Sequence, residues 1–378
     1  MTVPRRGLVP EVLVVAGEAS GDRIAALVAR ALAAHGVRCA GVGGAACRAA
    51  GVETFADTRE LSAMGLADVA ARLPVLAGAL ARLAARVRRA PPRAALLVNF
   101  TELNQHLGRA LRARGTRVLW CVAPQVWAWR PGRLQALRGA TDRLAVILPF
   151  EQALWRDAGY DAVYVGHPSV GGSAPAPAPP SPRRALAILP GSRAGEIARL
   201  AAPLTEAGAS LLASGAVTSA CVLVAPGLAS PSRLHLAMLA RRAGLPLADA
   251  PAEGGATSLL AGFDASLCAS GTASLEAALA GASPVVAYRL DRLAYAVARR
   301  LVRTPHIALP NVLLGRRAFP ELVQGEVTPA RLAASALPLL ADRPASLRLA
   351  AELGAILAPP SPAPFGDRVA ELMLPWLG

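Results

Sequence analysis

A polar stretch that directly follows an apolar run is the first place in this sequence where chemistry is expected. "LVNFTELN", residues 97–104, has the pattern of a buried strand that ends in a polar loop. Ligands of α/β proteins bind just beyond the carboxyl ends of the strands. The stretch offers an amide at Asn99 and its first acid at Glu102. Glu102 is therefore a candidate base, Asn99 is a candidate for a lost base, and an ordinary polar loop is the third interpretation.

Two turns in the second half of the chain are candidates for binding phosphate. Each has the pattern of a strand, a turn of small residues and a helix: "LPGSRAGEIARL" (189–200) and "ASGTASLEAALAG" (269–281). N–H groups at a helix start and the helix dipole favour an anion, and Arg193 would add positive charge. A simple helix cap, with Ser192 as N-cap, is the alternative for the first turn. The residues that let a ligand approach the backbone are Gly191 in the first turn and Ser270, Gly271 and Thr272 in the second.

The residues in and after these two turns indicate which class of ligand they could bind. Glu276, one helical turn further on, is a candidate acceptor of hydrogen bonds from ribose hydroxyls, or else an acid favoured near a helix N-terminus. Two such turns in the same half of the chain favour a nucleotide diphosphate as the ligand. Neither turn matches G-x-G-x-x-G or the P-loop, which disfavours dinucleotide oxidation and nucleotide-triphosphate hydrolysis. The sequence has no D-x-D motif, so no metal and no other cofactor is predicted. Arg193 and the helix dipoles would then hold the charge of the leaving group.

The first half has its own turn of small residues, "GEASGD" (17–22). The anionic side chains of Glu18 and Asp22 would oppose a phosphate there and are better suited to the recognition of hydroxyl groups. Both acids are therefore candidates for a catalytic role. Ser20 and Gly21, in the same turn, are candidates for contact with an acceptor.

A pair of tryptophans marks a second candidate acceptor segment, "PQVWAWRPGR" (124–133). Trp127 and Trp129 lie on one side of this segment if it is extended. Their flat rings, beside Gln125 and Arg130, suit a sugar face, an acyl chain or a phosphate. Core anchoring is the alternative, since buried tryptophans often have that role. The flanking Pro and Arg residues favour the edge of a cleft.

Short apolar strands alternate with helices rich in Ala, Leu and Arg, and this alternation predicts doubly wound α/β domains. A Pro- and Ala-rich stretch at 168–184 separates two such series and is typical of a linker. We therefore predict two Rossmann-like domains, 1–167 and 185–360, that face each other across a cleft. The predicted strands are 11–17, 93–100, 117–124 and 143–149 in the first domain and 185–192, 220–226, 264–270 and 284–290 in the second.

The net charge of +15 favours anionic partners, although all 40 basic residues are Arg and a biased coding background explains part of the charge. The segment 66–89, which ends in Arg86, Arg88 and Arg89, predicts either a basic amphipathic helix on an anionic bilayer or an ordinary surface helix. The charge is spread rather than striped and no nucleic-acid module is recognised, so a nucleic-acid partner is disfavoured.

Other classes of protein are disfavoured by simpler features. The five cysteines lack C-x-x-C spacing, so neither a disulfide framework nor a zinc site is predicted. The N-terminal segment reaches Glu11 before an apolar core long enough for a signal peptide, and no stretch has the composition of a membrane span. We expect a soluble, cytoplasmic protein. His167 and His306 stand alone in the sequence and are interpreted as structural residues.

Eight motifs of this chain resemble those of the lipid-A-disaccharide synthase family, in the same order and at similar spacing. The resemblance spans residues 11–340 and so covers both predicted domains. The motifs are "AGEASGD", "PQVWAWRPGR", "LPFE", "VGHP", "LPGSRAGE", "SGTASLEAAL", "VVAYRL" and "LPNVL".

The resemblance implies an inverting glycosyltransferase of the two-Rossmann GT-B type. The implied reaction transfers a diacylated glucosamine from UDP-diacylglucosamine to the 6-hydroxyl of diacylglucosamine 1-phosphate, giving a β-1,6-linked lipid A precursor and UDP. Such an enzyme is peripheral on the cytoplasmic face of the inner membrane; a homodimer is left open. The last segment, 361–378, is expected to return to the first domain. By resemblance the donor-binding residues are Gly191, Ser192, Arg193, Glu196, Ser270, Gly271, Thr272, Glu276 and Asn311.

The opening stretch departs from the family pattern, which runs roughly Ile-Asp-x-Pro-Asp-Phe-Asn with its first Asp as the usual candidate base. Here Asn99 stands at that position, Glu102 is the second acid and Asn104 is retained. An amide cannot take the proton of a sugar hydroxyl, and loss of a general base costs about 10²–10⁴-fold in rate. Three explanations are open: Glu102 is the base, Glu18 or Asp22 is the base, or the chain is a paralogue with little or altered activity.

Two other functions are open on the sequence alone. One is a different GT-B activity on a UDP-sugar, such as a 2-epimerase or transfer to another lipid. The tryptophan pair and the basic segment favour a lipid acceptor over the epimerase. The other is a UDP-sugar- or lipid-binding protein without catalysis, which Asn99 favours. The intact donor motifs argue against simple decay of an enzyme.

Overall fold

The computed structural model describes residues 11–58, 85–128, 131–170, 184–251, 256–302 and 304–378, together with positions 78 and 83. These residues form two compact units, each with its own parallel sheet. The predicted fold class, α/β with two doubly wound domains, is confirmed. The first unit includes the described residues up to 126, residues 131–170 and residues 359–378; the second includes 127–128 and the described residues from 184 to 358.

The first unit is built on a parallel sheet. Its strands are buried at nearly every position in the centre of the sheet, which explains their continuous apolar sequences. Within the described part of the unit the strands are β1 (Val12–Ala16), β2 (Cys39–Val42), β3 (Glu53–Ala56), β4 (Ala94–Val98), β5 (Arg117–Cys121), β6 (Arg143–Val146) and β7 (Ala162–Tyr164). Their order is β3-β2-β1-β4-β5-β6-β7.

The second unit repeats this design. All of its strand pairs run parallel. Its described strands are β8 (Ala185–Leu189), β9 (Ser219–Val224), β10 (Leu247–Asp249), β11 (Ala265–Ala269), β12 (Ser283–Tyr288) and β13 (Glu321–Val323). They lie in the order β10-β9-β8-β11-β12-β13.

Helices follow most strands and cover the sheets. In the first unit the alternating side chains of β1 enter two cores: Val12 and Val14 pack in one cluster, and Leu13 and Val15 pack in another. The described helices are α1 (Ala19–Ala34), α2 (Ala45–Ala49), α3 (Thr101–Arg112), α4 (Pro149–Asp157), α5 (Ala194–Ala213), α6 (Ser230–Arg242), α7 (Thr257–Leu260), α8 (Thr272–Leu279), α9 (Arg292–Leu301), α10 (Leu309–Leu314), α11 (Pro329–Ala341), α12 (Arg343–Ile356) and α13 (Phe365–Glu371). Short 3₁₀ helices span Pro131–Leu137, Gln324–Glu326 and Leu374–Trp376.

The last helix, α13, packs on α1 within the first unit. Gly366 permits this close approach, because an added Cβ would lie 2.3 Å from the carbonyl oxygen of Leu27. The buried Arg368 donates from Nε to the carbonyl oxygen of Val165 at 2.6 Å, and so ties the end of the chain to the segment after β7.

Two sequence predictions fall largely outside the described residues. Most of the basic segment 66–89 lies there; residues 85–89 are helical. Most of the predicted linker, residues 171–183, lies there as well. Among the helices that the structure describes, none is long and apolar enough to cross a membrane.

His167 lies immediately beyond β7, next to the anchor that Arg368 provides. It is 2% exposed, and its Nδ1 accepts a hydrogen bond from the backbone N–H of Ser169 at 3.1 Å. Burial lowers the pKa of His167 from its ordinary value of 6.5 to about 4. The folded protein therefore keeps this imidazole neutral, in agreement with the structural interpretation of the lone histidine.

The pKa of His167 predicts a loss of stability in mild acid. Between pH 6.5 and 4 the unfolded chain takes up a proton that the folded chain excludes, so the free energy of unfolding falls as the pH falls. The expected loss over this window is about 3 kcal/mol. Urea unfolding of the parent and of His167→Gln should show it as the difference between their pH profiles. His235→Gln, which changes an exposed histidine, should follow the parent; parallel profiles for all three proteins would refute the prediction.

Candidate functional site

The first unit has a topological switch point between β1 and β4. From this point the strand order runs outward in both directions, to β2 and β3 on one side and to β5, β6 and β7 on the other. Ligands of open parallel sheets bind in the crevice at such a point. The register pairs Ala16 with Val98. The segments that follow, which contain Glu18 and Asn99, therefore leave the sheet side by side.

A hydrogen bond joins Glu18 and Asn99 at this switch point. Asn99 Nδ2 donates to Glu18 Oε1 at 2.6 Å, and both residues are half-buried. Glu18 is the N-cap residue of α1, but its side chain makes no capping bond to that helix. It reaches the end of β4 instead. The short bond therefore fixes the position of both side chains relative to each other.

An uncommon backbone conformation holds Asn99 in place. Asn99 and Phe100 both have a φ of 51°, in the left-handed region that residues other than glycine rarely adopt. The buried Asn104 donates from Nδ2 to the carbonyl oxygen of Asn99 at 2.8 Å. The Phe100 ring covers Gly17, where an added Cβ would lie 2.3 Å from the ring. Glycine at position 17 and the amide at position 104 thus support this turn.

Asp22, the second acid of the first turn, has a different environment. It is 6% exposed, and its carboxylate accepts hydrogen bonds from the backbone N–H groups of Gly44 at 2.6 Å, Ala46 at 3.0 Å and Cys47 at 3.2 Å. These groups belong to the start of α2, which otherwise lacks partners for its first N–H groups. We therefore expect Asp22 to hold the start of α2 in place.

The other residues predicted for the first domain lie at several helix and strand ends, and the contacts of Trp127 assign it to the second unit. Ser20 is half-buried and Gly21 is buried, both in the first turn of α1. Glu102 is exposed in the first turn of α3. Gln125 is exposed and Trp127 is half-buried, both beyond β5. Trp129 and Arg130 lie outside the described residues.

The second unit has its own switch point, between β8 and β11. Gly191 follows β8 with a φ of +115°, a conformation that favours glycine. The backbone N–H groups of Ser192 and Arg193 point to Glu196 Oε2, at 3.0 and 3.2 Å, and Arg193 Nη1 pairs with Glu196 Oε1 at 3.2 Å. The N–H groups predicted to be exposed for a phosphate are thus held by Glu196, which caps its own helix. A phosphate would have to replace that carboxylate.

The other turn at this switch point is more open. Ser270 follows β11, and its hydroxyl donates to the carbonyl oxygen of Ile307 at 3.1 Å. Gly271 has a φ of +144° with no atom within 4 Å of an added Cβ, and Gly271 and Thr272 are both exposed. Glu276 is only 6% exposed, and its Oε2 accepts from the backbone N–H of residue 256 at 3.3 Å. Gly271 and Thr272 therefore offer more access to a ligand than Glu276.

Asn311, predicted to contact the donor, is a structural residue by its contacts. It is fully buried. Its Nδ2 donates to Phe319 O and to Glu321 Oε1, both at 2.8 Å, and its Oδ1 accepts from the N–H groups of Ala318 at 3.0 Å and Phe319 at 2.9 Å. Two donors and two acceptor positions are the whole capacity of an amide. The side-chain amide is thus fully used within the fold, and the predicted contact of Asn311 with the donor stays a prediction that would require these bonds to rearrange.

Glu321 links Asn311 to the open turn and was missed by the sequence reasoning. This buried carboxylate also accepts from the N–H groups of Ile307 at 3.1 Å and Ala308 at 3.0 Å. Because Ser270 donates to Ile307, a continuous hydrogen-bonded path joins β13, α10 and the turn after β11. An acid within the short apolar sequence "FPELV" (319–323) is the signal that could have revealed it.

Tyr288 is a second residue that the sequence reasoning did not single out. It ends β12, close to the turn after β8, and is half-buried. Burial raises its pKa, and the nearby negative charge of Glu196 raises it further, while Arg193 and Arg199 act in the opposite direction. The phenol is therefore neutral at physiological pH and can donate a hydrogen bond beside this turn.

Comparison with known sequences identifies close relatives over nearly the whole chain. A family model described as lipid-A-disaccharide synthetase matches residues 12–349. The lipid-A-disaccharide synthase of Anaeromyxobacter sp. (strain K) is 39% identical over 380 residues, which cover 97% of each chain. The lipid-A-disaccharide synthase of Myxococcus xanthus (strain DK1622) is 39% identical over 336 residues, which cover 86% of each chain.

Solved structures with a similar fold have distant sequences and include glycosyltransferases and UDP-N-acetylglucosamine 2-epimerases. CalG4, the calicheamicin glycosyltransferase, superposes with a TM-score of 0.60 at 17% identity and covers 97% of this chain and 98% of its own. MurG of Acinetobacter baumannii superposes with a TM-score of 0.56 at 16% identity, over 96% of this chain and 98% of its own.

The parallel sheets, their switch points and these structural neighbours define the class of the protein as one with the GT-B fold. The matches to sequence relatives then specify the family. This chain belongs to the lipid-A-disaccharide synthase family.

The contacts of Asn311 predict a structural defect when it is replaced. Asn311→Ala should lower the free energy of unfolding by about 2–4 kcal/mol, because three backbone groups and Glu321 lose a buried partner. Urea unfolding measures this loss, and a UDP titration of the folded variant measures binding. Gln135→Ala, which removes an exposed amide, is the control. A variant with the stability of the parent but weaker UDP binding would restore Asn311 as a direct donor contact.

Proposed function

We propose that this protein transfers a diacylated glucosamine from UDP-diacylglucosamine to the 6-hydroxyl of diacylglucosamine 1-phosphate, with inversion. The products are the β-1,6-linked disaccharide precursor of lipid A and UDP. Membership of the family supports this reaction. The main supporting observation is that the two units carry different groups at their switch points. The first unit has a carboxylate held by Asn99, and the second has turns suited to phosphate.

The second unit supports a site for the UDP group. The turns after β8 and β11 lie at adjacent strand ends, where the dipoles of α5 and α8 favour an anion. The Arg193 side chain is 62% exposed and stands at the first of these turns. A diphosphate would take over the N–H groups that Glu196 holds, and Arg193 would stabilise the charge of the leaving UDP. We propose that arginine and helix dipoles fill this role without a metal or other cofactor, because the sequence lacks a D-x-D motif.

The segment after β5 supports an acceptor that carries lipid. Gln125 is exposed, and Trp127 is half-buried. We propose that this segment, with Trp129 and Arg130, meets the acceptor sugar or its acyl chains, since aromatic rings combine apolar area with a polar edge. We also propose that the protein binds peripherally to the inner face of the inner membrane, where a net charge of +15 favours anionic lipid.

The proposed reaction can be tested with purified protein and both lipid-linked sugars. The protein should release one UDP for each disaccharide formed, which mass spectrometry of the lipid product and a UDP assay would measure. Arg193→Met should lower kcat/KM by about 10²-fold, because the departing diphosphate loses a positive partner. Arg241→Met removes an exposed arginine of the same unit and should match the parent.

Three outcomes would contradict the proposal in different ways. A protein that binds UDP but forms no disaccharide would be a UDP-sugar-binding paralogue. A protein that interconverts the donor sugar without an acceptor would be an epimerase. A product formed only with another lipid would identify a transferase of altered specificity.

A further inference from the structure

The hydrogen-bonded pair of Glu18 and Asn99 stands where the family pattern has its usual candidate base. We propose that Glu18 takes the proton of the acceptor hydroxyl in this protein and that Asn99 is the residue that positions its carboxylate. The proposal rests on the transfer reaction above. It means that the base has moved across one hydrogen bond, from the end of β4 to the end of β1.

The position of Glu18 suits proton transfer. Its carboxylate lies at the switch point, where a ligand of a parallel sheet binds. An ionised carboxylate has about four acceptor positions, and the Asn99 amide occupies one of them at 2.6 Å. That bond orients the carboxylate, and a carboxylate can accept from more than one donor at a time, so an acceptor hydroxyl can bond to it beside Asn99. A base held in one orientation contributes more to the rate than a mobile one.

The amide at position 99 has a chemical consequence for Glu18. Nδ2 of an amide can only donate, so Asn99 presents a hydrogen-bond donor to the carboxylate and does not compete with it for a proton. An aspartate at this position would bring two carboxylates to hydrogen-bonding distance. Like charges this close share a proton, which leaves less of the ionised base near neutral pH. The family's acid at this place would thus hinder a base at position 18.

The backbone around Asn99 is consistent with a functional site. Two successive residues in the left-handed region, Asn99 and Phe100, cost roughly 1–3 kcal/mol each. Such conformations persist only where the surroundings impose them, and they cluster at active sites. Here the Asn104 amide and the contact of the Phe100 ring with Gly17 impose them. In this conformation Asn99 Nδ2 points toward Glu18 and donates a hydrogen bond to it.

The other two acids are less suited to be the base. Asp22 is buried and gives its oxygens to three backbone N–H groups at the start of α2. Glu102 is exposed in the first turn of α3, beyond the turn that aims Asn99 at Glu18. Glu18, by contrast, is hydrogen-bonded to the amide that stands in place of the usual base.

The proton and electron balance of the step is complete without a further reactant. The acceptor hydroxyl oxygen forms a bond to the anomeric carbon of the donor sugar. Its proton passes to the Glu18 carboxylate. The bond between the anomeric carbon and the diphosphate oxygen breaks, and UDP leaves with its electron pair, stabilised by Arg193. Glu18 later returns the proton to water.

The charge of Glu18 is tested by Glu18→Gln, which keeps an oxygen that can accept from Asn99. We expect kcat to fall by about 10²–10⁴-fold, while UDP affinity stays within about threefold of the parent. Glu102→Gln removes the rival base and should keep most of the turnover. Glu371→Gln, at an exposed acid of the same unit, is the control and should match the parent. Turnover, UDP titration and thermal unfolding are measured for all four proteins.

The positioning role of Asn99 is tested by the pH dependence of Asn99→Asp. The two carboxyl groups of this variant would share a proton, so the acid limb of its kcat/KM profile should move to higher pH by about one pH unit or more. Its turnover near pH 7 should lie below that of the parent. A purely structural role of Asn99 would lower activity without moving this limb.

The results of these experiments distinguish a wrong assignment of Glu18 from a wrong assignment of the transfer reaction. A parent that makes no disaccharide overturns both. A parent that makes disaccharide while Glu18→Gln stays active, or while Glu102→Gln abolishes turnover, overturns only the assignment of Glu18. A gain of turnover in Asn99→Asp with an unmoved acid limb also overturns it, since the base would then simply be missing from position 99.

Discussion

The parallel register between β1 and β4 is the constraint on which the candidate acceptor site depends. It pairs Ala16 with Val98 and so brings the next residues of both strands to one place. The strands are buried, and their alternating side chains pack into two separate cores, so their register is part of the packing of both. Burial of the sheet therefore fixes the distance between Glu18 and Asn99. The position of the Glu18–Asn99 pair thus depends on the packing of the two strands that precede it.

The same constraint acts in the second unit with different residues. Parallel pairing of β8 with β11 places two turns of small residues side by side. Buried hydrogen bonds then position the turn after β11. Glu321 holds the segment around Ile307, and the carbonyl oxygen of Ile307 accepts a hydrogen bond from Ser270. The two units share one architecture, but one presents a carboxylate and the other presents helix starts and an arginine. The proposed transfer uses this difference, with hydroxyl chemistry in one unit and diphosphate binding in the other.

The sequence predicted the fold better than the contacts of the site. Long apolar strands were predicted because burial on both faces leaves a continuous pattern, whereas β2, β3, β7, β10 and β13 have only three or four residues and were missed. The family was predicted from its motifs. The bond between Glu18 and Asn99 was not, since it joins residues 81 apart and depends on strand order. The internal hydrogen bonds of Asn311 were not predicted either, because a motif does not show whether an amide is used within the fold.

The central claim is that the reaction needs one carboxylate and one amide, joined by the hydrogen bond between positions 18 and 99. A double variant tests this claim most directly. Glu18→Gln/Asn99→Asp exchanges the two groups and keeps the total charge of the pair. Turnover of the double variant, measured beside Glu18→Gln, should recover by at least about tenfold, because the carboxylate returns to the other side of the same bond. A double variant that binds UDP normally yet turns over no faster than Glu18→Gln would contradict the account.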